Sequence, residues 1–172
     1  MDNKNQQGSV LIYCLLLLSL IAVIGFTMHS LVYMEIKMSL YEQRASQARE
    51  LAEAASLLTI EEITLLLHDN CCEVYQLPKT IDLENSLPIV FSEDKVMQTG
   101  IITLVSQNKD LCIYSFSSGG MFKGAEKTIN TQVAFDFIEH YDYEEDAEGN
   151  KLELFSHRDF INRGRVVSYS EE

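Results

Sequence analysis

One uncharged, apolar segment near the N-terminus constrains this chain more than any other feature of its sequence. No Asp, Glu, Lys or Arg occurs from Asn5 to Met34, and from Val10 onward nearly every residue of the segment is apolar. The preceding residues 1–8 are polar and contain one basic residue, Lys4. Residues 9–34 would form about 39 Å of helix, enough to cross a hydrocarbon layer of about 30 Å with some tilt. The pattern predicts a membrane-spanning helix.

The order of leader and apolar segment bears on processing. A secretory signal peptide has its cleavage site after the apolar stretch, whereas here the small residues Gly8 and Ser9 precede it. Cleavage between them would leave the helix on the mature protein, with Ser9 as its first residue. An uncleaved single-pass anchor needs no cleavage, and composition alone leaves both alternatives open. Lys4 carries a positive charge before the segment, while the opposite charges of Glu35 and Lys37 after it cancel each other. Because positive charge stays on the cytoplasmic side, this balance favours a cytoplasmic N-terminus.

The length and charge of the chain exclude some functions. A chain of 172 residues predicts one domain, or one domain with an appendage. With 26 acidic and 13 basic residues, its net charge is −13. Direct nucleic-acid binding needs basic clusters, and the nearest approach here is Arg158, Arg163 and Arg165, interrupted by Asp159. An acidic extracytoplasmic domain instead suits solubility and docking to other subunits.

The region after the apolar segment is predicted to stay helical. No glycine occurs between Gly25 and Gly100, and the first proline is Pro78. Residues 35–69 are rich in good helix formers, so we expect one continuous helix from Ser9 to about His68. Apolar positions at helical spacing should form its packed face; these are Leu51, Ala52, Ala55, Leu58, Ile63 and Leu66.

Residues 70–172 change to the pattern of short strands. Alternating, β-branched or aromatic runs predict strands at 88–91, 100–106, 111–116 and 126–139, with further extended segments at 152–155 and 166–169. The Ser-Ser-Gly-Gly run 117–120 reads as a loop or bulge. The predicted fold class is α+β, with a long N-terminal helix, half membrane-spanning and half amphipathic, packed on a small antiparallel sheet.

The four cysteines leave several alternatives open. Cys14 lies in the apolar helix and is most simply a small buried hydrophobe. Outside the membrane, Cys112 could pair with Cys71 or Cys72, closing a loop of about 40 residues that stabilises by about 3–4 kcal/mol. Free thiols are the second alternative. A metal site with His68 is the third, although the spacing matches no standard site.

No constellation in the sequence predicts catalysis, a cofactor or a metal. The histidines, which are His29, His68, His140 and His157, show no ligand pairing at i, i+4. The acidic run at 136–148 lacks the glycine-punctuated spacing of a calcium loop. It is interpreted as a solvated turn before Gly149 and Asn150.

Three segments in the same order give this chain a resemblance to a known family. They are residues 6–12 opening the apolar helix, the Ala-rich residues 45–56, and residues 113–129 with their Ser-Gly run and return strand. The chain resembles type IV pilin-like proteins, most closely minor pilins of the PilX kind, and it is also similar to the K-type pseudopilin of type II secretion. The first two segments lie within residues 6–56, which make up about a third of the chain.

The resemblance implies a role and a set of partners. It implies that prepilin peptidase cleaves after Gly8, that Ser9 is methylated, and that an inner-membrane assembly platform moves the helix from lipid into a filament with other pilins. Major pilins carry a glutamate at the fifth mature position, which is Tyr13 here. Because Tyr13 cannot neutralise a neighbouring subunit's N-terminal amine, the resemblance implies a low-copy subunit at the filament tip or in the initiation complex.

Overall fold

The computed structural model describes residues 3–83, 88–145 and 151–171, with side chains from Val10 onward. Within these residues the chain forms one long helix and an eight-stranded antiparallel sheet, which confirms the predicted α+β class. The elements are α1 (Asn3–Asn70), β1 (Thr80–Ile81), β2 (Ile89–Ser92), β3 (Lys95–Thr99), β4 (Ile102–Gln107), β5 (Leu111–Phe122), β6 (Ala125–Glu145), β7 (Lys151–Phe160) and β8 (Arg165–Glu171). The chain divides into two compact units, Met1–Gln43 and Arg44–Glu172.

Helix α1 is continuous over 68 residues, from Asn3 to Asn70. Its end at Asn70 lies two residues beyond the predicted end near His68. Gly25 lies inside it with no neighbouring atom within 4 Å of an added Cβ, and the helix continues through this glycine without a break. The absence of proline before Pro78 allows the backbone hydrogen bonds to run without a break.

Strands β5 and β6 form the centre of the sheet. They pair antiparallel over twelve positions, from Leu111↔Asp136 to Phe122↔Ala125. The other edge of β5 pairs first with β4 and then with β3, so that the strands predicted at 100–106 and 111–116 form an antiparallel hairpin. The other part of β6 pairs with β7, while β8 pairs with residues 129–134 of β6. Strands β1 and β2 extend the sheet beside β4 and β3.

The predicted loop at 117–120 is wrong, because these residues lie inside β5. Gly120 is paired with Met97 of β3 on one side and with Lys127 of β6 on the other. A Cβ at Gly120 would lie 2.1 Å from the carbonyl oxygen of Ala48 and 2.5 Å from the backbone nitrogen of Ala52. This glycine therefore permits close approach of the helix backbone to the sheet.

Small side chains on α1 form the face that meets the sheet. The fully buried positions recur at helical spacing, and they are Ala48, Ala52, Ala55, Thr59, Ile63 and Leu67. Of the predicted face, Ala52, Ala55 and Ile63 are confirmed. Leu51 and Leu66 are only partly buried and Leu58 is 37% exposed. The buried face is rotated toward alanine and threonine because the close contact at Gly120 leaves no space for leucine there.

Hydroxyl groups on this face satisfy one another across the helix–sheet contact. Thr59 Oγ1 lies 2.7 Å from Thr99 Oγ1, and Ser56 Oγ lies 3.1 Å from Thr131 Oγ1. Thr64 Oγ1 donates to the carbonyl oxygen of Arg163 at 3.0 Å. Further along the helix, apolar packing takes over in a core that includes Ile63, Leu67, Tyr114, Phe135 and Phe137. Polar pairs and apolar packing together attach this part of α1 to the sheet.

Several strands differ from the sequence expectation. Strands β1 and β3 were not predicted, and β6 and β7 are longer than the predicted runs at 126–139 and 152–155. The acidic run that begins at Asp136 lies on β6 as far as Glu145, so the predicted turn is wrong over that part. The rest of the predicted turn, residues 146–148, lies outside the described residues, as do Gly149 and Asn150.

Candidate functional site

The apolar segment of α1 is exposed over its whole described length. Every described side chain from Val10 to Arg44 is exposed. By length and composition, this helix could span a membrane. Two of its polar side chains are satisfied within the helix, because Ser19 Oγ and Thr27 Oγ1 each donate to a backbone carbonyl three residues earlier, at 2.8 Å. Such internal pairing is what a helix in lipid requires of its polar groups.

A lysine–tyrosine contact lies at the end of the apolar segment. Lys37 Nζ lies 4.7 Å above the ring of Tyr33, which is a cation–π contact. Lysine and tyrosine are both common near the ends of membrane-spanning helices. This pair lies beside Met34, where the sequence predicts that the membrane segment ends.

The structure describes the residues predicted from the N-terminal segment to different extents. Gly8 and Ser9 belong to α1 by their backbone, and their side chains lie outside the described part. Tyr13 is 70% exposed on the helix surface. Its phenol therefore lies on the helix exterior.

A second constellation surrounds Arg158 of β7, whose side chain is completely buried. Its guanidinium pairs with the carboxylate of Glu139 on β6, and its Nη atoms donate to the carbonyl oxygens of Val74 and Tyr75 at 3.3 and 3.1 Å. The guanidinium also lies 4.6 Å from the ring centre of Phe137. These contacts attach the segment after α1 to the β6–β7 ribbon.

The charge state of Glu139 follows from this pairing. Burial opposes ionisation of this carboxyl, yet hydrogen bonds from Arg158 and Tyr141 outweigh it and lower the pKa of Glu139. Within the described residues, the Nε atom of Arg158 has no hydrogen-bond partner. Arg158 and Glu139 therefore form a structural ion pair beside aromatic rings.

The cysteines predicted as disulfide partners lie in one region of the structure. All four cysteines of the chain, including Cys14, are free thiols. Cys71 and Cys112 both belong to the buried core cluster, while Cys72 is half-buried and its Sγ donates to the carbonyl oxygen of His68 at 2.9 Å. Burial raises the pKa of Cys112 to about 12 and also raises that of Cys71. Such thiols are chemically inert, and the pairing of Cys112 stays a prediction.

An open groove of about 570 Å³ runs along α1 beside Leu57 and Leu65. These two side chains are 67% and 52% exposed. His68 and Arg163 lie at the same groove. The sequence placed apolar residues on more than one face of the helix between 57 and 67, and the structure leaves part of that surface open to a partner.

The β6–β7 ribbon joins residues that sequence reasoning kept apart. His140 is the direct cross-strand partner of His157, and Asp159 lies two residues further along β7. The search for i, i+4 pairs could not find them, because that spacing applies to helices. A regular register continued from Glu145↔Lys151 would pair His140 with Ser156, and the bulge places His157 opposite His140 instead.

Comparison with protein-family models, with curated proteins and with solved structures finds no match to this chain.

Proposed function

We propose that this chain is a minor pilin or pseudopilin, a low-copy subunit of a type IV pilus or a related competence or secretion pseudopilus. Prepilin peptidase cleaves it after Gly8, and the mature helix waits in the cytoplasmic membrane with its N-terminus inside. An inner-membrane assembly platform then transfers it into a filament with other pilins. The protein reaches the cell surface as part of that filament.

The observation that carries this proposal is the continuity of α1. One uninterrupted helix contains an exposed apolar segment from Val10 and, from Ala48 onward, a face packed against an antiparallel sheet. A membrane anchor alone needs only the first part. A filament subunit needs both in one continuous helix, because the apolar part must leave lipid and enter a helix bundle while the following part holds its own domain.

The surface of the apolar segment suits both environments. Its side chains are mainly Leu, Ile and Val, each about 50–65% exposed. Such side chains can contact either lipid tails or the apolar side chains of other helices, because both surroundings are apolar. The segment therefore requires no refolding between the membrane and the filament.

Tyr13 supports a minor role. A subunit entering a filament behind this one would find no carboxylate at Tyr13 to pair with its N-terminal amine. Repeated in every subunit, that arrangement would leave a row of unpaired charges in an apolar core, which is costly. At a tip or in an initiation complex the arrangement occurs once, and the cost is limited to one contact.

Contacts with sibling subunits would use the remaining surfaces. The acidic domain offers charge complementarity to more basic partners, and the open groove beside Leu57 and Leu65 offers apolar area. The charge of −13 argues against direct binding of nucleic acid by this subunit.

Fractionation of cells tests the proposal. Surface filaments are sheared from cells that express the wild-type chain or a Gly8→Val variant, and both fractions are probed with an antibody to this protein. We expect the wild-type protein in the filament fraction at a small ratio to the major subunit. We expect the Gly8→Val variant only in the membrane fraction. Equal retention of both forms in the membrane would favour an uncleaved single-pass anchor with a small binding domain and would contradict the proposal.

A further inference from the structure

Three potential metal ligands meet on the surface of the β6–β7 ribbon. His140 on β6 and His157 on β7 are directly opposite, and Asp159 lies on the same face of β7 as His157 because the side-chain period of a strand is two. The ligand atoms of these three residues lie within 4.8 Å of one another. This is the set of two imidazoles and one carboxylate that binds divalent transition metals.

The two imidazoles already face the carboxylate. The Nε2 atoms of His140 and His157 lie 3.1 and 4.0 Å from the same oxygen, Oδ2 of Asp159. The two rings are stacked, with centroids 4.3 Å apart and planes 8° from parallel. Ligand atoms around a tetrahedral zinc ion are separated by about 3.3 Å, which follows from metal–ligand distances of about 2.0–2.1 Å. Because the lone pairs of two parallel rings do not converge, binding of one ion requires one imidazole to rotate out of this stack so that both Nε2 atoms face the ion.

A bulge in the ribbon supports the orientation of His157. The register shifts after His140, so that Ser156 is an extra residue on β7 without a cross-strand partner. Ser156 Oγ lies 3.3 Å from Nδ1 of His157. When Nδ1–H donates to this hydroxyl, the lone pair of Nε2 is left free on the side of Asp159, as in metal-bound histidines held by an outer hydrogen bond.

The cluster is accessible to an ion from solution. The side chains of His140, His157 and Asp159 are 43%, 46% and 65% exposed. Glu139 points elsewhere, to the buried Arg158. The Cys72 thiol is engaged with the carbonyl oxygen of His68. The net charge of −13 also favours cation binding over anion binding.

We propose that His140, His157 and Asp159 form a binding site for one divalent transition-metal ion of the zinc type, which links strands β6 and β7 across their surface. The three ligands leave at least one coordination position for water or for a donor from another molecule. The site is independent of cleavage at Gly8, because all of its ligands lie in the unit Arg44–Glu172.

Calorimetric titration of the full-length chain tests the proposal. The untagged protein in mild detergent is titrated with Zn²⁺, and we expect one ion per chain. We expect His140→Gln, His157→Gln and Asp159→Asn each to weaken binding at least about tenfold. His68→Gln and Cys72→Ser are the matched controls, since they remove a histidine and a thiol outside the ligand set, and both should bind as the wild type does.

Two results would overturn the site. One is the absence of Zn²⁺ binding, and the other is undiminished affinity in a His140→Gln/His157→Gln double variant. A measurement on the wild-type chain alone tests the site even if the variants fail to fold. Bound Co²⁺ should give visible absorption without a thiolate charge-transfer band in the near ultraviolet. A thiolate band would assign the metal to cysteine and contradict the proposal.

Discussion

Gly120 offers the sharpest test of how α1 meets the sheet. In the Gly120→Ala variant, the added methyl carbon would lie 2.1 Å from the carbonyl oxygen of Ala48 and 2.5 Å from the nitrogen of Ala52. Both are backbone atoms of a helix, so no side-chain rotation can relieve the overlap. The helix must retreat from the sheet by about 1 Å, since uncharged heavy atoms approach no closer than about 3–3.5 Å at low energy.

The cost of this retreat follows from what the close contact holds together. Overpacking of this kind costs about 1–3 kcal/mol. The hydroxyl pairs that cross the same contact, Ser56 with Thr131 and Thr59 with Thr99, would lengthen as well, and each contributes about 0.5–1.5 kcal/mol. We expect the free energy of unfolding of Gly120→Ala to fall by about 2–6 kcal/mol.

Gly119 provides the matched control. It lies next to Gly120 on β5, and an added Cβ there would meet only the side chain of Gln98, at 3.0 Å. That side chain can turn aside, and Gly119→Ala should stay within about 1 kcal/mol of wild type. Urea unfolding in mild detergent, followed by circular dichroism and by tyrosine fluorescence, measures both variants. Equal stability of the two variants would refute the close backbone contact.

Two further predictions concern the ribbon and the thiols. Arg158→Met should lower the free energy of unfolding by about 3–5 kcal/mol, because it leaves the buried carboxylate of Glu139 unpaired. The control variant at an exposed residue, Arg165→Met, should change it by less than about 0.5 kcal/mol. Similar losses for both variants in urea unfolding would contradict a stabilising Arg158–Glu139 ion pair. In the folded protein, a thiol reagent should modify Cys72 well before Cys112, whose pKa burial raises to about 12; equal rates, read by peptide mass spectrometry, would contradict the burial of Cys112.

The parts of this fold that local chemistry determines could be predicted from the sequence. The continuous helix follows from residues 9–70, which contain no proline and a single glycine, Gly25. The β4–β5 hairpin follows from alternating strands around a polar turn at 107–110. In both cases the signal and the structure lie in the same residues, so no knowledge of distant contacts is needed.

The parts that depend on distant contacts could not be predicted. The Ser-Ser-Gly-Gly run has the composition of a loop, yet Gly120 lies in a strand because the backbone of Ala48 and Ala52 passes over it. Strand β3 has no strong pattern of its own and gains its place by pairing with β5. The His140–His157 pair depends on the register of β6 and β7, which a bulge alters.

The N-terminal residue of the mature protein tests the central claim most directly. The protein is purified from its own host with an active prepilin peptidase, and its intact mass and N-terminal peptide are measured. The account predicts a chain that begins at Ser9, lacks Lys4 and carries an N-terminal methyl group, and a chain with residues 1–8 attached when the peptidase is deleted. Recovery of residues 1–8 on the protein from the peptidase-active host would contradict it.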